Sequence, residues 1–302
     1  MRPDYPNFKP LELADRPLLT EQLTRYQPVI CELAISNLYL WQDFDRGSFT
    51  FINDNLCLMI SPVNDSPYFL EPVGTRKLTE TIDLCLRHTG RLSRVSEKNL
   101  GAIPLPLLRA HCLRGQSDYV YFTKELAEFK GRRFDGKRNH IKKFKKHFPD
   151  YQYLPLTPAF KEQALALFEE WFEARKATQF FQKLAYDAQK TALTKAFDLF
   201  EALQLSGGAI LAGGKLKAFA IGSRLNNETV SVHFQYSDTT AQGVTQTLWQ
   251  DACANTFAGY TYINLEQDLG IPGLRKAKMS YYPEKIEKKY ELRFKAGIKS
   301  LL

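Results

Sequence analysis

Apolar residues recur along this chain at two periods, and the alternation between the two divides it into elements. In the second half, residues 151–155 read as a strand, and Thr157-Pro158 supplies an N-cap followed by proline at the first helical position. Phe160, Ala164, Leu167, Phe168 and Trp171 repeat at helical spacing, which predicts a helix ending near Lys176. Leu193, Ala196, Phe197, Phe200 and Leu203 predict a second helix. Three strands follow over 207–212, 216–224 and 229–236, with turns marked by Gly213-Gly214 and Asn226-Asn227. A helix over 245–257, a strand over 260–265, a short helix over 274–279 and a strand over 290–294 complete the series.

The first half shows the same rhythm more faintly. Strands are predicted over 8–13, 49–52, 56–61, 68–71, 92–95 and 118–122, and helices over 18–26, 35–41, 77–87 and 104–113. The order in the second half is strand, two helices, three-strand meander, helix, strand, helix, strand. That order matches the GNAT acyltransferase fold. The two halves share this pattern without sequence identity. The expected architecture is therefore α+β, with two tandem GNAT-like domains over 1–130 and 151–302. A basic amphipathic helix within 131–150 joins them: Phe134, Ile141 and Phe148 are spaced by seven, Phe144 lies on the same face, and lysines cover the rest.

Composition narrows the class. The chain has 302 residues, 44% hydrophobic and 25% charged, which suits two globular domains and argues against wholesale disorder. No apolar run reaches the ~20 residues of a membrane helix, and the N-terminus lacks a signal peptide's apolar stretch. A cytoplasmic protein is expected, with association at a membrane surface left open. Cys31, Cys57, Cys85, Cys112 and Cys253 are scattered without a Cys-x-x-Cys pair, so neither a disulfide framework nor a metal site is expected. Cys57 and Cys85, in apolar runs, read as small buried hydrophobes.

The net charge of +8 is concentrated. Residues 130–146 carry nine Lys/Arg against one acid, Asp135, and residues 275–299 carry nine against three. The remainder of the chain is acidic. Such blocks point to a localised anionic partner, either RNA or another phosphate-rich ligand, or an anionic lipid surface. Lys137, Arg138, Asn139, His140, Lys142, Lys143, Lys145 and Lys146 are the candidate phosphate contacts there. A solvated helix face is the alternative reading.

The densest polar constellation runs from Asn264 to Tyr281, at the predicted end of a strand, where open sheets place ligands. Gly270 and Gly273 permit a tight turn, while Arg275 and Lys276 open a short helix whose N-terminus also favours anions. Within the stretch, Arg275, Lys276 and Lys278 are candidates for holding phosphate or an oxyanion, and the carboxylates of Glu266 and Asp268 are the further site candidates. His233, in the strand Val230-Ser231-Val232-His233-Phe234, is the candidate for proton transfer near neutral pH. Asp118 and Tyr119 begin the strand that closes the first half and join the substrate-binding candidates.

Asp118-Tyr119-Val120-Tyr121, Lys137-Arg138-Asn139-His140, His233-Phe234-Gln235 and the stretch from Glu266 to Tyr281 together resemble the C-terminal domain of phosphatidylglycerol lysyltransferases. The resemblance covers nearly the whole chain and implies two GNAT-like domains around a cavity. It also implies transfer of an amino acid from aminoacyl-tRNA to a lipid, peptide or small-molecule hydroxyl or amine, with no further cofactor. This sequence departs from the family in having no membrane-embedded region, and in carrying Gln235 where a glutamate is expected. Two other readings stay open: an N-acyltransferase using acetyl-CoA or another acyl-CoA, and a non-enzymatic module binding RNA or anionic lipid. The segment 240–246 keeps only Gly243 of the glycine pattern that cradles a CoA pyrophosphate, which disfavours the first.

Overall fold

The computed structural model describes residues 2–103, 105–175 and 186–302. The chain forms two compact units, one comprising Met1–Asp118, Gln267–Gly270 and Ile286–Leu302, the other Tyr119–Glu266 and Ile271–Lys285. These units are not the consecutive segments 1–130, 131–150 and 151–302 that the sequence suggests. The helix Asp135–His147, expected as a joint, belongs to the second unit.

The strands explain why. In chain order they are β1 (Lys9–Pro10), β2 (Ser48–Ile52), β3 (Asn55–Ile60), β4 (Tyr68–Phe69), β5 (Leu92–Ser96), β6 (Leu108–Cys112), β7 (Asp118–Phe122), β8 (Gln152–Pro155), β9 (Ser206–Ala212), β10 (Lys215–Arg224), β11 (Thr229–Ser237), β12 (Tyr262–Asn264), β13 (Lys285–Glu287) and β14 (Lys289–Phe294). They make two seven-stranded sheets, ordered β1-β2-β3-β4-β5-β14-β6 and β8-β9-β10-β11-β12-β7-β13. Each sheet runs antiparallel over its first four strands and then makes one parallel pair, β4 with β5 or β11 with β12. Each half of the chain contributes seven strands, and the seventh of each lies in the other half's sheet. Strand β7 pairs with β12, and β14 is held between β5 and β6.

Local pattern could not reveal this exchange. Residues 104–113 read as a helix, yet Leu108–Cys112 is an edge strand, because its partner β14 comes from the far end of the sequence. The strand expected over 8–13 shortens to Lys9–Pro10, followed by a 3-10 turn. Strand β13 has no alternation long enough to flag it. Most other elements fall within a few residues of expectation, including helices Arg16–Tyr26, Leu78–Thr89 and Val244–Ala254. The helix begun by Pro158 runs as Lys161–Glu173, and its expected end at Lys176 lies outside the described residues.

The first unit's core gathers Phe69, Ile82, Cys85, Leu86, Val95, Leu108 and Leu292, so β14 contributes to burial as well as to pairing. Cys57 and Cys85 are buried there, as their apolar surroundings suggest. In the second unit, Phe168 and Trp171 of helix Lys161–Glu173 meet the Tyr236 ring edge-on at 5.1 and 5.0 Å, fixing that helix against β11.

Candidate active site

Strands β11 and β12 pair in parallel at Thr229–Tyr262, Val230–Ile263 and Ser231–Asn264, and the pairing stops there. Two residues further along each strand stand His233 and Glu266, whose side chains meet with Nδ1 2.9 Å from Oε1. Two backbone features aim them. Between β10 and β11 the register jumps from Ile221–Phe234 to Gly222–Val232, so His233 is the extra residue of a β-bulge. Such bulges bend a strand and redirect one side chain. Glu266 adopts a left-handed φ of 57°, and its amide donates to the Asn264 side chain at 2.7 Å. That conformation is costly for a residue with a Cβ and is held by its surroundings.

The far side of the imidazole is also occupied: Nε2 lies 2.9 Å from Oγ of Ser223 on β10, and both residues are buried. Ser231 donates to the same Glu266 oxygen at 3.3 Å. A carboxylate only accepts, so Nδ1 of the neutral ring carries the hydrogen toward Glu266 and Nε2 faces the serine as the basic nitrogen. Hydroxyl, imidazole and carboxylate thus form one chain across β10, β11 and the end of β12. The sequence named His233 and Glu266 as candidates, which the structure brings into contact, and did not single out Ser223. It becomes visible only once the bulge sets Ser223 opposite Ser231 in register.

Beside this chain, Lys278 on helix Pro272–Met279 donates to the Leu265 carbonyl at 2.5 Å and lies 5.7 Å from the Tyr119 ring centroid. Tyr119 itself is buried, with backbone bonds to Glu266 and Leu265. Arg275 is half-buried and Lys276 exposed on the same helix. Gln235 donates to Ser237.

Asp268 and Asp118 have partners of their own. Both belong to the first unit and are fully buried. Asp268 accepts from the Gly270 amide at 2.8 Å and from Arg114 at 3.2 Å, which fixes the turn that carries it. Asp118 accepts from the Cys31 amide at 2.9 Å and from the Lys289 ammonium at 2.6 Å. Lys289 also donates to Glu32 at 2.5 Å, and Arg94 lies 3.4 Å from that carboxylate. Cys31, Glu32 and Asp118 offer three ligand atoms close enough to hold a metal ion, but the Lys289 ammonium supplies the positive charge instead. Burial alone would lower the Lys289 pKa, yet Asp118, Cys31 and Glu32 raise it well above its usual range. Burial would likewise raise Glu32, and Lys289 with Arg94 reverses this to a lowered value.

The basic helix has an apolar side, Ile141 and Phe144, and a cationic side on which Lys142, Lys143 and Lys146 are exposed. None of these three lysines has a carboxylate partner among the described residues. Arg138 is differently engaged, with Asp135 and with the carbonyls of Phe129 and Gly131, so it ties the helix to the segment that precedes it. Lys137 donates to Ser280 at 2.6 Å and lies 3.7 Å from the Tyr281 ring centroid, and burial lowers its pKa. Asn139 is exposed; His140 is half-buried, with its carbonyl against Gly243. Lys145 reaches toward Gln250. Gly243 has φ 90°, and a Cβ there would lie 2.1 Å from the His140 oxygen, so only glycine lets the helix approach this closely. No described helix is long and apolar enough to cross a membrane.

A meander leading into a parallel pair that parts beside a bulged histidine defines the fold class as GNAT-like. The chain belongs to the phosphatidylglycerol lysyltransferase C-terminal family, whose model matches residues 23–293. A conserved protein of unknown function from Bacteroides thetaiotaomicron is similar in structure, with 33% identity and a TM-score of 0.87 over 95% of this chain and 99% of that one. L-PGS from Bacillus licheniformis shares the fold at 16% identity and a TM-score of 0.66, over 93% and 92% of the two chains. No curated protein matches by sequence.

Proposed function

We propose that this protein is an aminoacyltransferase that takes an amino acid from aminoacyl-tRNA and passes it to a hydroxyl or amine, with a lipid the favoured acceptor from family membership. The observation that carries the reading is the Ser223–His233–Glu266 chain at the point where β11 and β12 part. The ester of aminoacyl-tRNA is already activated by its ribose linkage. What remains is to position the acceptor and manage one proton. The acceptor oxygen or nitrogen attacks the ester carbonyl, and its proton passes by way of the Ser223 hydroxyl to Nε2 of His233. Glu266 stabilises the imidazolium that forms. As the carbonyl–ribose bond breaks, His233 returns the proton to the departing ribose oxygen. Lys278, bonded to the carbonyl next to Glu266, is the candidate to hold the developing oxyanion.

The basic helix, with Lys142, Lys143 and Lys146, would bind phosphates of the tRNA. In this reading the chain is a duplicated GNAT-like unit, working in the cytoplasm and, for a lipid acceptor, at the membrane face. A CoA donor is less well supported, since the segment 240–246 keeps only Gly243 of the glycine pattern that cradles a pyrophosphate.

The test is transfer from a pool of radiolabelled aminoacyl-tRNAs to phosphatidylglycerol vesicles, followed by solvent extraction. Label should enter the extract, should vanish when the tRNA is digested first, and should fall ~10²–10⁴-fold in His233→Ala, the range for loss of a general base. Absence of transfer to lipid, peptide or small-molecule acceptors alike would refute the reading.

A further inference from the structure

Away from this chemistry, β6 and β14 of the first sheet present an unusual surface. Their antiparallel register sets Arg109 directly opposite Arg293 and His111 directly opposite Glu291. The alternate residues Leu108 and Leu292 face the core, so these four share the other side of the sheet. They line a concavity of about 280 Å³.

Two arginines opposed across a pair of strands have Cβ atoms roughly 5 Å apart, and like charges so placed are destabilising. The surroundings do little to relieve this. Arg293 donates through Nε to Glu291 at 2.7 Å, and Arg91 draws on the same carboxylate at 3.3 Å. The terminal nitrogens of Arg293, the whole guanidinium of Arg109 and the imidazole of His111 have no protein partner among the described residues. Glu291 therefore holds Arg293 by its inner edge and leaves its outer nitrogens to a ligand. The second fork, from Arg109, stands next to it.

We propose that Arg109, Arg293 and His111 form a binding site for a phosphomonoester group. Paired guanidinium forks match the several oxygens and double charge of such a group better than they match a carboxylate. The volume is at the small end of ligand pockets, enough for a phosphate and a few attached carbons. The group could arrive on a soluble metabolite or on a lipid headgroup, and the chemistry of recognition is the same for both. The proposal does not depend on the transfer reaction.

The test follows the imidazole resonances of His111, identified with His111→Gln, while inorganic phosphate is titrated against chloride at equal ionic strength. A saturable shift is expected, with a Kd raised about tenfold or more in Arg109→Gln and in Arg293→Gln, the effect of one lost charge-assisted hydrogen bond. Arg109→Lys should fall between, because an ammonium keeps the charge but loses the fork. All three positions are on the surface, and an unchanged melting profile would verify folding. Sedimentation with phosphatidylcholine vesicles, with and without phosphatidic acid, separates the sources. Arg109-dependent capture by phosphatidic acid assigns a headgroup, and phosphate binding without capture assigns a soluble ligand. No saturation, or equal affinity in the variants, would overturn the proposal and leave the charges as protection of an open strand edge. So would variants that weaken binding of an RNA oligomer while phosphate binding is absent.

Discussion

Replacing Lys289 by methionine keeps most of the side chain's volume and removes only its charge. In the folded chain that ammonium is fully buried, 2.6 Å from Asp118 and 2.5 Å from Glu32, with the Cys31 sulfur at 3.5 Å. Its removal leaves two carboxylates without that ammonium, Asp118 fully buried and Glu32 largely so, with Arg94 3.4 Å from Glu32 as a counter-charge. Breaking a buried pair from one side costs about 3–5 kcal/mol, a large part of the ~5–15 kcal/mol that holds a typical protein folded. For a chain of this length that is a fall in melting temperature of about 5–8 °C. The loss should itself depend on pH. The lowered pKa of Glu32 stabilises the native chain above the ordinary carboxylate range, a contribution lost as pH falls through the folded value. Without Lys289 that contribution reverses, because the orphaned carboxylates take up protons more readily when folded. Lys289→Met should therefore be most damaging near pH 8 and milder near pH 5. The raised pKa of Lys289 sets the opposite limit, with stability present below its ordinary value and lost only at strongly alkaline pH. Scanning calorimetry at the two pH values checks this. A loss under about 1 kcal/mol, or one equal at both pH values, would mean that the cluster is hydrated and the pair worth no more than a surface ion pair.

Glu266→Gln should lower transfer activity about 10²-fold or more by removing the charge that stabilises His233 when protonated, with melting temperature nearly unchanged. Replacing Lys142, Lys143 and Lys146 by glutamine should weaken RNA binding and reduce the slope of log affinity against log salt by about two to three, which filter binding at several salt concentrations measures. Gly243→Ala should destabilise the fold by more than about 1 kcal/mol in denaturant titration, since its Cβ would strike the His140 carbonyl at a left-handed φ. Burial pushes the Asp45 carboxyl up to about 6, with Arg94 opposing. The folded chain thus holds that proton more tightly than the unfolded one and loses stability as pH rises from about 4 toward 6. Asp45→Asn should then stabilise by on the order of 1 kcal/mol at pH 8 and by little at pH 4.

The legibility of this chain was set by how local each signal was. Helix Asp135–His147 was readable because Ile141 and Phe144 repeat within one element and lysines fill the remaining face. The meander was readable because alternation and Gly213-Gly214 lie within a few residues of each other. The partnership of His233 with Glu266 could be expected from the order of strands, since parallel neighbours part beyond their last pair. What could not be read depended on pairing between distant segments. Strand β6 looked helical until β14 arrived beside it. Ser223 reaches His233 only through a bulge that no composition announces. Asp118 and Asp268 stood among polar residues and looked like ligand contacts, yet Lys289 and Arg114 claim them from elsewhere in the sequence.

The exchange of seventh strands has a consequence for the order in which the molecule can be made. A ribosome adds roughly 5–20 residues each second, so about 10–35 s separate synthesis of β6 from that of β14. Through that interval β5 and β6 have no strand to lie between them, and Glu32 and Asp118 have no ammonium to meet. The first sheet is finished only when Lys289–Phe294 emerges, whereas β7 is already available when β12 forms. The N-terminal half therefore waits, with a sheet edge and two carboxylates open to water, for β14 to close it. A nascent chain that stalls late leaves that sheet unsealed, however much of its sequence has been translated.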